Sequence, residues 1–186
     1  LSNNKKTDKN KEIRIWSVAC ASGQEVFSLA MLIEELAENK GERINYRIFA
    51  TDSSEEQIKK AQKGLYSEES LGNLNLRRIN KWFTNRDENY TVKKELKRNI
   101  DFSVFNLLSD PLSSPSGSIF GDFDIVICAN ILFYYKKKYR TMILEKAENS
   151  LTTGGFLITG ETERDILLKY NFREVFPQSG VFQVKK

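Results

Sequence analysis

The sequence predicts an α/β fold with a mostly parallel sheet that ends in an antiparallel strand. Three observations carry that expectation. Short apolar runs, Ile13 to Cys20 and Tyr46 to Thr51, each give way to a stretch whose apolar residues recur at helical spacing, as in right-handed crossover units. Two later runs, Phe123 to Cys128 and Phe156 to Gly160, read as buried strands separated by a helical stretch. The final segments, Phe172 to Phe176 and Gly180 to Val184, flank Pro177-Gln178-Ser179 and read as a closing antiparallel pair.

Taken in order, residues 1–12 are almost wholly polar and read as a flexible tail, or as a linker from a missing N-terminal domain. The chain begins with Leu1 rather than Met, which suggests a fragment. The first strand ends in small residues and turns through Ala21, Ser22 and Gly23 into a helix. Val26, Phe27, Leu29, Ala30, Ile33, Leu36 and Ala37 form the inward stripe of that helix. Its N-terminus leaves unpaired N–H groups facing outward, a cradle suited to a nucleotide-type ligand. The dinucleotide motif Gly-x-Gly-x-x-Gly is absent, since only Gly23 stands there. The second strand closes on Asp52. Ser53 or Ser54 caps the next helix, whose stripe is Ile58, Ala61 and Leu65.

The segment Leu74 to Phe83 has helical spacing, with Leu76, Ile79, Trp82 and Phe83 expected inward. Asn85 to Asn89 reads as a polar turn before two alternating stretches, Tyr90 to Lys93 and Ile100 to Phe105. The Ser-, Pro- and Gly-rich run from Asp110 to Gly121 is a loop of a length that is more often functional than decorative. A helix from about Lys136 to Leu151 is expected to stop at Gly154-Gly155.

Composition bounds the function. At 186 residues, with 40% hydrophobic and 29% charged, the chain suits one core, and residues 13–186 are expected to form one domain. No run approaches the ~20 apolar residues of a membrane span, and the polar start argues against a signal peptide, so a cytoplasmic protein is expected. The two cysteines, Cys20 and Cys128, end apolar runs and read as reduced and structural. The net charge of +4 comes from scattered lysines, which favours a solvated surface over a nucleic-acid stripe. There is no histidine, which removes histidine-dependent triads and histidine-bound metals, and no metal site is expected.

In an open parallel sheet, ligands bind beyond the carboxyl ends of the strands. The groups stranded there are Ala21 to Glu25, Asp52, Asn106-Leu107, Ala129-Asn130 and Glu161. An acid at the end of the second strand is placed to hold a ribose diol through two hydrogen bonds. Glu25 in the first turn of the helix has a plainer reading as well, since an acid there favours the helix dipole.

Three stretches also carry a resemblance to a known family: Trp16 to Glu25 with Ser28 beyond it, Phe49-Ala50-Thr51-Asp52, and Cys128 to Tyr135. Gly64-Leu65-Tyr66, Asp101-Phe102, Asn106-Leu107-Leu108 and Gly154-Gly155-Phe156 support it. The chain resembles the chemotaxis receptor methyltransferases of CheR type, which use S-adenosylmethionine to methylate glutamate side chains and leave S-adenosylhomocysteine. The resemblance implies a Rossmann-like class I methyltransferase sheet with a small β-subdomain inserted at about 85–100. It implies cofactor contacts at Ala21, Ser22, Gly23 and Glu25, with Glu25 receiving the methionyl amino group. It also implies Asp52 on the ribose, Asn106 and Leu107 beside the adenine, and Ala129 and Asn130 near the methionine end. Tyr134 resembles the active-site tyrosine near the transferred methyl. The implied partner is the cytoplasmic domain of a chemoreceptor, with no nucleic acid or membrane insertion, and a monomeric enzyme.

The sequence departs from the family pattern. Ala129 stands where an arginine is usual, Gln24 replaces the first of two acids, and Glu161-Thr162 replaces a His-Ser pair. Ala129 and the expected missing N-terminal domain leave a second expectation open, a catalytically impaired, cofactor-binding module with a regulatory or interaction role. For an active enzyme the chemistry needs no base. A glutamate carboxylate, pKa ~4.3, is already ionised at neutral pH, so the task is to align it with the methyl at ~3–3.5 Å.

Overall fold

The computed structural model describes residues 11–118 and 121–185. Most of the expected tail and two residues of the expected loop therefore lie outside the described residues. The elements in chain order are β1 (Ile13–Val18), α1 (Gln24–Lys40), β2 (Tyr46–Asp52), α2 (Glu55–Lys63), β3 (Leu65–Ser67), α3 (Leu76–Trp82), β4 (Phe83–Arg86) and β5 (Asn89–Val92). They continue with α4 (Lys94–Lys97), β6 (Ile100–Val104), β7 (Phe123–Ile127), α5 (Lys137–Ser150), β8 (Leu151–Ile158), α6 (Arg164–Leu167), β9 (Phe172–Glu174) and β10 (Val181–Val184).

Seven strands form one sheet in the order β6-β2-β1-β7-β8-β10-β9. Strands β6, β2, β1, β7 and β8 pair in parallel, whereas β10 runs antiparallel to both β8 and β9. The expected α/β sheet with its antiparallel closing strand is thus present. Both faces are covered, and the pleat shows why. Ile15 packs with Ile48, Ala50 and α1 on one side, while Trp16, Val18, Phe49 and Val126 pack with α5 residues Ile143, Leu144 and Ala147 on the other. Alternating side chains of one strand feed opposite layers. Trp16 is fully buried, and its indole N–H donates to Thr51 Oγ1 at 3.0 Å, so its single polar atom is satisfied.

A second, three-stranded antiparallel sheet has the order β3-β5-β4 and spans Leu65 to Val92. Its make-up corrects two expectations. Leu65 does not extend the stripe of α2, because Gly64 ends that helix in the left-handed region at φ 58° and sends the chain into β3, leaving Leu65 half exposed. The turn expected over Asn85 to Asn89 shrinks to Asp87-Glu88, because β4 and β5 pair up to Arg86 and Asn89.

Other apolar positions also sit differently from the helical pattern. Leu76 is 76% exposed in the first turn of α3, where Asn75 caps the helix by accepting from Arg78 N–H. Leu36 is exposed near the end of α1, past Met31, the last fully buried residue of that helix. Gly154-Gly155 does not terminate α5, which ends at Ser150. The glycines lie inside β8 at an irregularity, where Phe123 pairs with Leu151 but Ile125 pairs with Phe156.

Candidate functional site

The sheet reverses its winding between β1 and β7, which both lie at its centre. Ligands of such sheets bind beyond the carboxyl ends of the strands at this point. Backbone strain gathers there as well. Of the six described non-glycine residues with positive φ, three stand here, Ala19 (φ 56°) and Ala21 (φ 46°) after β1 and Asn130 (φ 60°) after β7, while Asp87, Asp122 and Gln178 lie in other turns. Gly23 (φ 87°) completes the β1–α1 turn, and a Cβ there would come 3.0 Å from the Ala61 side chain of α2. Both its backbone angle and its closeness to α2 demand glycine.

Asp52 organises the neighbouring loops. Ala21 N–H donates to its Oδ2 and Ser54 N–H to its Oδ1, each at 2.9 Å. One carboxylate thus ties the β1–α1 turn to the start of α2, where Ser54 also caps the helix by accepting from Gln57 N–H. Each Asp52 oxygen keeps a lone pair beyond its N–H contact, which is what two ribose hydroxyls require. Asp52 lines a cavity of about 130 Å³ with Ala19, Ser53, Asn106, Leu107 and Tyr135. Asn106 shapes one wall, since its Oδ1 accepts from Leu108 and Ser109 N–H at 2.9 and 3.1 Å.

Glu25 is not in the wall of that cavity. It stands in the first turn of α1 and accepts from the buried Ser17 hydroxyl at 3.0 Å through Oε1, and no hydrogen bond to Oε2 is seen among the described residues. Desolvation pushes its carboxyl pKa up, and the Ser17 hydrogen bond opposes this. The carboxylates of Asp52 and Glu25 act on one neighbour. Burial first, then the negative fields of both acids, push the Cys20 thiol pKa up to about 12. Cys128 is also pushed up, by burial and then by the fields of Glu163 and Glu25. Both cysteines are free and buried. A free carboxylate oxygen in a desolvated setting suits an ammonium group, and the Asp52 geometry suits a ribose, so the residues fit a sulfonium nucleoside with an amino acid end.

The segment after β7 is held by a residue that sequence reasoning passed over. Glu163 is fully buried, and no cation accompanies it among the described residues. Its carboxylate accepts from Asn130 N–H at 2.7 Å, Leu132 N–H at 2.5 Å, Phe133 N–H at 3.4 Å and the Thr159 hydroxyl at 3.1 Å. Backbone donors of a loop beyond β7 are thereby satisfied by a short helical turn beyond β8. The sequence offered only an acid-rich end to the strand, and Glu161, the acid nearest that end, is exposed. Ala129 is half-buried against the core on the α1 side and offers no charge. Tyr134 is 78% exposed and packs on Phe133, with ring centroids 4.3 Å apart. Asn130 and Tyr134 therefore stand outside the Asp52 cavity, on the adjoining rim that begins with its wall residue Tyr135.

Tyr66, on β3, was also missed as a site residue. Its hydroxyl donates to the Ser22 carbonyl at 2.7 Å, pinning the β1–α1 turn to the small sheet. Among the described residues no group of acids and cysteines could hold a metal ion, and no helix is long and apolar enough to cross a membrane.

The family described as CheR methyltransferase, SAM binding domain, matches residues 1–180. A chemotaxis protein methyltransferase of Borreliella burgdorferi is 31% identical over 161 residues, covering 83% of this chain and 53% of that protein. An uncharacterized 104.1 kDa protein of Rhodobacter capsulatus is 30% identical over 171 residues, 92% of this chain but 17% of that protein. The chain spans about half the length of the chemotaxis relatives it matches. Among solved structures, one described as a DhpI-SAH complex superimposes with a TM-score of 0.48 at 14% identity, covering 94% of this chain and 60% of that one.

Proposed function

Because the chain belongs to the CheR methyltransferase family, whose SAM-binding domain it matches over nearly its whole length, we propose that it is the cofactor-holding part of a protein-glutamate O-methyltransferase. The substrate is the cytoplasmic part of a chemoreceptor, and the role is adaptation in chemotaxis. The observation that carries this reading is Asp52, whose two oxygens each take one backbone N–H and face a cavity bordered by Asn106 and Leu107.

S-adenosylmethionine, when bound, supplies a methyl group on a positively charged sulfur, which departs as a neutral thioether when an acceptor oxygen takes the methyl. The chain's part is to hold and align. Asp52 binds the ribose hydroxyls, Asn106 and Leu107 flank the base, and Glu25 holds the amino end through its free oxygen. The acceptor carboxylate is ionised at neutral pH, so no residue has to remove a proton, which agrees with a chain lacking histidine. Tyr134 orients the acceptor by donating its hydroxyl to one carboxylate oxygen.

Calorimetric titration of S-adenosylmethionine into the wild type and Asp52→Ala tests the site. Loss of two charge-assisted hydrogen bonds, ~1.5–3 kcal/mol each, should weaken binding at least roughly a hundredfold. Unchanged affinity would refute the ribose assignment. Radiolabelled methyl transfer to receptor cytoplasmic fragments by the full-length protein, with label released as methanol by base, tests the carboxylate acceptor.

Ala129 favours a second reading. It offers no cation to an anionic acceptor, as expected of an impaired module that binds cofactor and serves in regulation. Tight cofactor binding by a full-length protein that labels no receptor fragment would select that reading.

A further inference from the structure

The rim beside the site carries a surface that the cofactor does not explain. Phe133 and Tyr134 are 44% and 78% exposed and pack on each other at the end of the turn Leu132–Tyr134. Exposed aromatics in contact are costly on a free surface and are enriched at binding interfaces. The pair is not loose. Glu163 holds the N–H of Leu132 and Phe133, and Arg140 reaches back from α5 to the Leu132 carbonyl at 2.8 Å and the Phe133 carbonyl at 3.5 Å.

Directly after it, Lys136, Lys137 and Lys138 occupy the cap and first turn of α5. All three are exposed, and none has an ion-pair partner among the described residues. They also stand at the wrong end of their helix. A 14-residue helix presents its positive pole here, the first turn contains no acid, and lysines at that pole cost stability. Uncompensated positive charge on a braced aromatic turn is complementary to a negatively charged partner.

The geometry points to a docking platform for an acidic, glutamate-bearing peptide segment of the methyl acceptor, made by Phe133, Tyr134 and Lys136 to Lys138. This deepens the methyltransferase reading and rests on it, by assigning acceptor recognition to the cofactor-binding domain itself. The lysines supply the long-range attraction that Ala129 does not, and the aromatic pair supplies the apolar seat. Tyr135, next in the chain, lines the Asp52 cavity, so a segment seated on the platform lies at the edge of the cofactor site.

The test is fluorescence anisotropy with a labelled peptide carrying several glutamates among apolar residues, set against the same peptide with glutamines. The full-length protein is compared as wild type, as Phe133→Ala, and as the triple variant Lys136→Glu, Lys137→Glu, Lys138→Glu. Acids at this helix end favour the dipole, so the triple variant should melt no lower than the wild type. The platform predicts that the wild type prefers the glutamate peptide at least tenfold in low salt, less as salt rises. The triple variant should lose that preference while its affinity for S-adenosylmethionine is unchanged, and Phe133→Ala should weaken both peptides.

Equal binding of the two peptides by the wild type would overturn the proposal, as would unaltered glutamate-peptide binding by the triple variant. Loss of cofactor affinity in step with peptide affinity would also overturn it. So would a wild type that binds vesicles of anionic phospholipid or single-stranded DNA through these lysines but not the peptide. A protein that binds cofactor and peptide without transferring methyl leaves the platform standing and removes the activity. A triple variant that methylates with an unchanged KM for the acceptor does the reverse.

Discussion

Gly160 lies directly against Asn130. A Cβ at position 160 would come 2.6 Å from Asn130 Oδ1 and 3.4 Å from the Asn130 backbone nitrogen. The residue just past β8 and the segment after β7 thus pack so closely that only a hydrogen fits between them, and the glycine leaves room for the Asn130 side chain in its present position.

Gly160→Ala should therefore disturb the site more than the fold. Asn130 is exposed and can swing aside, so the stability cost should stay below the ~1–3 kcal/mol of an overpacked core. Affinity for S-adenosylmethionine should fall severalfold. Denaturant titration and calorimetry on the same preparation separate the two effects.

Glu163→Ala should be among the most destabilising single changes in the chain. It strands three backbone donors, two of them at 2.7 Å or less, around a side chain that is itself fully buried. A loss of ~2–4 kcal/mol is expected in urea denaturation. Hydrogen exchange should show faster exchange of Asn130 and Leu132 amides even under conditions where the protein stays folded.

Glu25→Gln should exchange stability against binding, with a pH signature. The folded-state pKa of Glu25 is raised by desolvation, so its contribution to stability is fully present below its unfolded value and is lost as pH rises through the folded value. Above the unfolded value the wild type carries that cost and the glutamine variant does not. The variant should melt higher at pH 7, and its advantage should vanish as pH falls below about 4. Its affinity for S-adenosylmethionine should be weaker throughout the neutral range.

Tyr66→Phe removes the hydroxyl that donates to the Ser22 carbonyl. The expected stability loss is ~0.5–1.5 kcal/mol, the net worth of one hydrogen bond. Loosening the β1–α1 turn should also raise the dissociation rate of the cofactor, measured by stopped-flow fluorescence. An unchanged rate would leave Tyr66 as packing alone.

Most of the sheet was legible because its strands are signalled locally. Ile13 to Cys20, Phe123 to Cys128 and Phe156 to Gly160 are mostly apolar, and the Ser53-Ser54 pair announces α2, with Ser54 making the cap. Errors arose where an apolar residue had two destinations. Leu65 and Leu76 satisfy a helical period, but Gly64 ends one helix before Leu65, and Leu76 opens the next with its side chain in solvent. Periodicity says which residues share a face of a helix, not where the helix stops or whether anything covers that face.

What the sequence by itself determined is the chain order of the large sheet's strands and of the helices between them, and the residues left at the strand tips, Ala21 to Glu25, Asp52, Asn106-Leu107 and Ala129-Asn130, since these follow from local pattern. Only the tertiary structure decided that Asp52 bridges Ala21 and Ser54, that Glu163 holds the segment carrying Asn130 and Tyr134, and that Tyr66 pins Ser22. Such contacts join residues distant in sequence, as with the 33 positions between Asn130 and Glu163. Burial forces each polar group to find a partner, and the partner is whichever group the packed layers bring within reach.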